Sequence, residues 1–316
     1  MRCVFSECLN DNALGGLPGA PPGGMGMLEP RAVARVMRSP ARWARRAWGD
    51  VVARFFPRMC RVCGGPLVGA DESSILIPVC DGCVAGIHEQ GRGVRPMVLC
   101  GCCGEALDME SVRFVGARVP AEGLLCNECR LVRPAFERAV AYGLYEDELR
   151  EMVHLLKYER MRVVARPLGG KLAAAMRMLE SAAAEELLVV AVPLFPAKER
   201  ARGYNQAVLL AEAALAELKR TRPGWRLRRN ALRRVRDTES QFALTPRQRR
   251  ANLRGAFVVD ESADLIGREV MLVDDIYTSG ATARECARVL RRAGVAKIWI
   301  PTAARAQREM VAFWNG

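Results

Sequence analysis

The chain has 316 residues, a formal charge of +13 and a hydrophobic share of 50%, with 12 Cys but only 2 His. That balance is globular, of about two domains, and it excludes a wholly disordered or collagen-like chain. Aromatic residues at 6% argue against a base-stacking sheet, 2 His leave little material for His-rich metal catalysis, and no apolar run reaches the roughly 18 residues of a membrane span.

Residues 1–59 read as a flexible basic tail. Gly15, Gly16, Gly19, Gly23 and Gly24 alternate with Pro18, Pro21 and Pro22, as in a linker. Residues 31–56 are Arg-rich, with Trp43, Trp48, Phe55 and Phe56 at loosely helical spacing. A basic amphipathic helix against nucleic acid, a targeting peptide without a secretory apolar core, or a translation start placed too far upstream would each look like this.

Residues 60–133 carry four C-x-x-C pairs: Cys60/Cys63, Cys80/Cys83, Cys100/Cys103 and Cys126/Cys129. Cys60-Arg-Val-Cys63-Gly-Gly-Pro-Leu and Cys100-Gly-Cys102-Cys103-Gly-Glu-Ala-Leu read as an internal duplication, a double zinc ribbon. The first spacer, of 16 residues, lies inside the range of four-cysteine zinc sites, and the second, of 22, just beyond it. Two residues between thiolates let both sulfurs reach one ion, and the following Gly frees backbone N–H groups to face sulfur. The spacing predicts two structural zinc ions, each held within one half or by one pair from each half. Four thiolates leave no open position for substrate. A disulfide framework would need a secretion signal, which the sequence lacks, so a cytoplasmic setting is expected. Cys102 is a spare thiol, His88 a weak alternative ligand, and Cys286 a small buried hydrophobe.

Residues 134–316 alternate strand and helix. Strands are expected at Arg138–Tyr145, Leu187–Leu194, Phe257–Val259, Val270–Val273 and Lys297–Ile300, and helices at Glu146–Tyr158, Leu168–Glu186, Asn205–Lys219 and Ala281–Ala293. This predicts an α/β domain with a mostly parallel sheet and its site at the strands' carboxyl ends. His154, on the first helix, reads as packed or exposed rather than catalytic.

The segment Val270-Met271-Leu272-Val273-Asp274-Asp275-Ile276-Tyr277-Thr278-Ser279-Gly280-Ala281-Thr282 carries the most chemistry. A buried strand ends in two carboxylates, and a loop of hydroxyls and Gly then runs into a helix. Backbone N–H groups at that helix's start, with the Thr278, Ser279 and Thr282 hydroxyls, would cradle a phosphate. The carboxylates would face sugar hydroxyls or magnesium. No Gly-Lys-Thr/Ser follows, which excludes a Walker A loop. The segment resembles the 5-phosphoribosyl-1-pyrophosphate (PRPP) signature of type I phosphoribosyltransferases, with Tyr277 where an aliphatic residue is usual.

Further segments narrow the resemblance. They are Leu155-Leu156-Lys157-Tyr158, then Val192-Pro193-Leu194-Phe195-Pro196 with Lys198, Arg200, Arg202, Gly203, Tyr204, Asn205 and Gln206. Arg236-Asp237-Thr238-Glu239-Ser240-Gln241, Leu244 and Arg249-Arg250-Ala251-Asn252-Leu253-Arg254-Gly255-Ala256-Phe257 follow. With the cysteine ribbons, residues 60–305 resemble the ComF family of competence-associated, phosphoribosyltransferase-like proteins.

The resemblance implies a type I phosphoribosyltransferase-like sheet flanked by helices. Asp274 and Asp275 would contact the ribose hydroxyls, and Thr278, Ser279, Gly280, Ala281 and Thr282 would hold the 5-phosphate. Lys198, Arg200 and Arg202 would meet pyrophosphate, with magnesium bridging pyrophosphate and ribose. Arg236–Arg254 would form a hood over the sugar, with Thr245-Pro246 opening a short helix in it. The implied reaction is displacement at the anomeric carbon, with no evident general base and an unnamed acceptor. Glutamine-dependent amidotransfer is not expected, because Cys3 is no substitute for a glutaminase domain.

From Lys198 to Arg254 there are 16 Lys and Arg against 5 Asp and Glu, a local charge of +11. A soluble basic face, a phosphorylated substrate and nucleic acid all fit. Two functions therefore stand: a PRPP-dependent transferase, or a binding module that engages single-stranded DNA or competence and DNA-uptake proteins.

Overall fold

Leu187–Ala191 holds five apolar residues in a row, which fits a strand covered on both faces. In the computed structural model this strand lies inside a five-stranded sheet. The structure describes residues 58–67, 77–90, 97–107, 123–237, 248, 252–260 and 263–307. The chain divides into units Met1–Phe56 and Pro57–Gly316, and only the second holds described residues. The basic tail before Arg58 and most of the hood, 238–247 and 249–251, lie outside them.

In chain order come α1 (Asp81–Gly86), α2 (Asn127–Leu131), β1 (Arg138–Leu144), α3 (Asp147–Lys157), α4 (Ala165–Arg177) and β2 (Leu187–Ala191). Then follow α5 (Pro196–Arg202), α6 (Gln206–Leu218), β3 (Trp225–Leu227), β4 (Leu232–Arg234), β5 (Phe257–Val259), β6 (Glu269–Tyr277), α7 (Ala281–Arg292) and β7 (Lys297–Arg305). The sheet order is β1-β7-β6-β2-β3, parallel at every pairing, and β4 pairs antiparallel with β5 in a second small sheet. Among the described residues no helix is long and apolar enough to cross a membrane.

Strand periodicity divides the core in two. Val189, Met271, Val273 and Trp299 cluster with the apolar faces of α3, α4 and α6. Val190, Val270, Leu272, Ile298 and Ile300 face the other way, onto α7 and the β4–β5 hairpin. The cysteine segments divide likewise: Cys60 and Cys83 join the first cluster, and Cys100, Cys103, Cys126 and Cys129 the second.

Several boundaries differ from expectation. α4 starts earlier than Leu168, because Pro167 is tolerated in a first helical turn. It stops at Arg177 rather than Glu186, where tighter turns through Leu179 N–H to Met176 O and Glu180 N–H to Arg177 O bury Leu179. β2 ends before Pro193, which has no N–H for a ladder. β6 and β7 run further, to Tyr277 and Arg305, so the acidic pair lies within a strand. β3, β4 and α5 are additions to the expected elements.

Candidate phosphate loop and cysteine sites

β6 brings Asp274 and Asp275 to the carboxyl end of the sheet and delivers the chain into Thr278-Ser279-Gly280. Gly280 caps α7 with φ 72, the left-handed region. A Cβ there would lie 2.2 Å from the Tyr277 hydroxyl oxygen, so conformation and space both demand Gly. The turn aims the free N–H groups of α7's first turn at the space beside the loop. Ser279 Oγ is buried with no hydrogen-bond partner among the described residues, an orphaned group of the kind a phosphate oxygen would satisfy. A small cavity of about 20 Å³ is lined by Asp274, Thr278, Gly280, Thr282 and Thr302.

The two carboxylates differ. Asp275 is 3% exposed and forms an ion pair with Lys157, at the end of α3. Its backbone N–H donates to Asp274 Oδ1 at 2.9 Å. Burial pushes Asp274 well above the usual carboxylate range, and the neighbouring Asp275 charge adds to this. Burial also works to raise Asp275, but the Lys157 charge and hydrogen bonds from Asp274 and Lys157 hold it below its ordinary value. Burial works to lower Lys157, but the Asp275 charge and hydrogen bond, with the Asp274 charge behind them, together raise it above its ordinary value. The pair therefore holds one protonated and one ionised carboxyl in the range between their two titrations. In the sequence Lys157 shows only as a Lys closing the apolar end of a helix, with nothing nearby to name its partner.

Lys198, Arg200 and Arg202 sit on α5 rather than in an open loop, with Pro196 in its first turn and Gly203 at φ 86 closing it. Lys198 pairs with Asp237 at 3.1 Å, and Arg202 donates to Gln206 Oε1 at 2.5 Å. Arg200 is exposed. Beside α5 lies a cavity of about 640 Å³, lined among others by Arg162, Phe195, Tyr204, Arg229 and Arg233. It shares no residue with the small cavity at the loop. The hood springs from β4 and returns at β5; Arg236 Nη1 donates to Arg254 O at 2.8 Å, and Gly255 N–H to Glu285 Oε1 at 2.8 Å.

The cysteines gather as Cys60, Cys63, Cys80 and Cys83 in one cluster and Cys100, Cys103, Cys126 and Cys129 in another. Pairing is within halves; the interleaved alternative does not occur. In each cluster the ligand atoms lie within 4.8 Å of one another. The halves share much of their hydrogen bonding, although the Cys83 N–H to Cys80 Sγ cap of the first has no counterpart at Cys126. Cys60 N–H donates to Gly65 O and Cys100 N–H to Glu105 O, both at 2.7 Å. Cys80 N–H donates to Cys60 Sγ and Cys126 N–H to Cys100 Sγ, both at 3.3 Å. Gly64 and Gly104 turn at φ 70 and 72. Four convergent sulfurs with backbone N–H donors fit a zinc ion in each. Burial raises the Cys60 thiol, but backbone donors from Cys63, Cys80 and Val62 bring it down to about 6. Cys102 is buried outside the second set, and Cys286 is buried in α7. His88 is exposed and belongs to neither set, and His154 is exposed with its ring 4.8 Å from Tyr158.

No protein-family model matches the chain. Competence protein F of Haemophilus influenzae is 29% identical over 255 residues, covering 80% of this chain and 99% of that protein. DNA utilization protein YhgH of Salmonella typhimurium is 29% identical over 206 residues, 64% of this chain and 88% of that protein. YhgH of Escherichia coli K12 matches over the same length at 29% identity. Among solved structures, the glutamine PRPP amidotransferase from B. subtilis overlaps 45% of this chain at 20% identity and TM-score 0.29, and this chain spans only 26% of it. A hypoxanthine phosphoribosyltransferase from Staphylococcus aureus overlaps 46% of this chain and 62% of its own, at 14% identity and TM-score 0.26. Scores this low carry no argument about the fold, which rests on the strand order and helix layers above.

Proposed function

We propose, starting from a chain that belongs to the ComF family, that it binds PRPP as its magnesium complex at the loop after β6 and transfers the phosphoribosyl group to an acceptor. The observation that carries this is the unpartnered Ser279 hydroxyl beside a helix start that only Gly at 280 permits, four residues past Asp275 of β6. The 5-phosphate would take the N–H groups of α7 with the Thr278, Ser279 and Thr282 hydroxyls. Asp274 and Asp275 would accept from the ribose hydroxyls, with Lys157 keeping Asp275 ionised. Lys198, Arg200 and Arg202 would neutralise the leaving pyrophosphate as the anomeric bond breaks through an oxocarbenium-like state. Holding both phosphate ends fixes the sugar, and the hood, rooted on β4 and β5, would exclude water. Magnesium, when bound with PRPP, supplies charge neutralisation on the pyrophosphate. The Cys60–Cys83 and Cys100–Cys129 clusters would each hold a structural zinc ion, giving residues 60–133 the role of a double ribbon ahead of the 134–316 transferase domain.

A second reading is favoured by the names of the relatives and by surface charge. Competence and DNA-utilization proteins are its relatives, and Arg226, Arg228, Arg229 and Arg233 are exposed around β3 and β4. Here the chain is a non-catalytic module that engages single-stranded DNA or uptake proteins. Calorimetric titration with PRPP and magnesium, then with single-stranded DNA at two salt concentrations, separates the readings. Binding of PRPP only with magnesium supports the first; salt-sensitive DNA binding with no PRPP heat leaves only the second.

A further inference from the structure

The two cysteine clusters are built alike but make different contacts with the rest of the molecule. The first sits against α3: a Cβ on Gly86 would meet Glu148 Oε1 at 3.3 Å, and Arg61 pairs with Glu159 at the surface. The second reaches the strand and the helix that flank the phosphate loop, through Arg305 and Arg284. Arg305, at the end of β7, is 1% exposed. It forms an ion pair with Glu105 at 2.6 Å, donates to the Cys103 carbonyl, and lies 4.5 Å over the Tyr277 ring centroid. The Tyr277 hydroxyl fills the space where Gly280 has no side chain. From the helix that follows the loop, Arg284 of α7 reaches Cys129 Sγ at 3.5 Å and donates to Val132 O at 3.0 Å.

These contacts have a chemical logic. Four thiolates around a divalent ion carry a net charge of about −2, and a buried cluster of that charge needs cations or N–H donors around it. The second cluster is buried throughout, whereas Cys63 of the first is exposed to water. Arg305 and Arg284 supply positive charge to the buried one. A desolvated guanidinium stacked on a ring is also a strong and directional contact. Arg305 thus touches both the cysteine segment and Tyr277, and Arg284 ties the helix after the loop to Cys129.

We propose that the Cys100–Cys129 site is the anchor of the phosphate loop, with Arg305, Tyr277 and Arg284 as positioning residues, and that the Cys60–Cys83 site has no such part. The loop takes its geometry only when the second site is closed, so metal loading of that site regulates ligand binding. That last consequence rests on the PRPP reading; the mechanical link does not.

Hydrogen exchange on the full chain tests the link without ligand. The double variant E105Q/R305M removes the cation while leaving no buried carboxylate unpaired. Peptides spanning 274–284 should exchange about tenfold faster in it, as expected when a local opening loses one desolvated contact, while α4 and α6 keep their protection. C63S should leave the loop at the wild-type rate. Unchanged loop exchange in E105Q/R305M, or equal loosening by C63S, overturns the proposal. If E105Q/R305M loosens α4 and α6 too, Y277L decides, since it spares the Glu105–Arg305 pair: a faster loop over unchanged helices supports the anchor, and an unchanged loop overturns it. Calorimetry with magnesium and PRPP on the same samples is read separately. Wild-type protein that binds no PRPP ends the ligand reading and leaves the exchange result standing.

Discussion

Gly280 has two constraints on it at once, and they make its replacement a sharp probe. Ala at φ 72 costs about 1–2 kcal/mol from backbone sterics alone, and its Cβ would also collide with the Tyr277 hydroxyl. G280A should therefore lower PRPP affinity at least about tenfold with the sheet intact, measured by calorimetry beside circular dichroism. Replacing Asp274 and Asp275 together by Ala should cost roughly 1.5–3 kcal/mol for each charge-assisted hydrogen bond lost, and unchanged PRPP affinity would refute their role. The carboxyls also predict pH behaviour. Asp274 is raised in the folded state, so its stabilising contribution is present below its unfolded pKa and is lost as pH rises through the folded value. Asp275 is lowered, so its contribution is present above its unfolded pKa and is lost as pH falls through the folded value. K157M should abolish the second effect and destabilise the protein by about 3–5 kcal/mol above the Asp275 titration, read from urea melts across pH. Ligand contacts that need Asp274 ionised would release its proton. Apparent PRPP affinity should then rise with pH up to that titration, and calorimetry in two buffers of different ionisation enthalpy would register the proton. The acidic pair and its loop could be read from the sequence because they are contiguous. Lys157 could not be assigned, since its partner lies far along the chain and only the packing of α3 brings them together.

At the scale of elements, close packing and metal sites set the expectations. α4 and α6 approach so tightly that a Cβ on Gly169 would come 2.3 Å from that of Ala213. G169A should cost about 1–3 kcal/mol through overpacking, seen as a lower urea midpoint with unchanged m. Metal analysis of protein purified without chelator should return two zinc ions per chain. A chelator should strip the first site sooner, because Cys63 is exposed and the second cluster is buried. Simultaneous release, or no zinc at all, would count against the two-site reading. The cysteine pairing was half legible: C-x-x-C spacing marked eight ligands, but only the fold shows that each half closes on itself. β3 and β4 escaped because three-residue strands carry too little periodicity to separate from a basic loop. Tyr277 looked like a mere departure from a familiar pattern. Its reason, the Arg305 side chain stacked on it, lies at the end of another strand.

For the whole molecule, the basic stretch is less open than its charge suggests. Arg229 pairs with Glu212, Arg233 with Asp260 at 3.4 Å, and Arg234 turns inward over the Phe257 ring. If this stretch nonetheless tracks a single strand of DNA, log affinity should fall with log salt by about 0.7 per phosphate contacted. A variant with Arg226, Arg228, Arg229 and Arg233 reversed to Glu should show a shallower slope while still binding PRPP; identical slopes and affinities would clear this surface of the role. The strand order has a different consequence. β7 is the last described strand along the chain, yet it lies between β1 and β6. A ribosome delivers β1, β2 and β6 before the piece that joins β1 to the others exists. The edges of β1 and β6 stay unpaired until β7 emerges, and such edges invite pairing with other chains. Arg305 arrives with β7, so the nascent chain gains the contact on Tyr277 and closes its central sheet in the same late step, and a messenger cut short before Lys297 would yield an aggregation-prone fragment rather than a weakened protein.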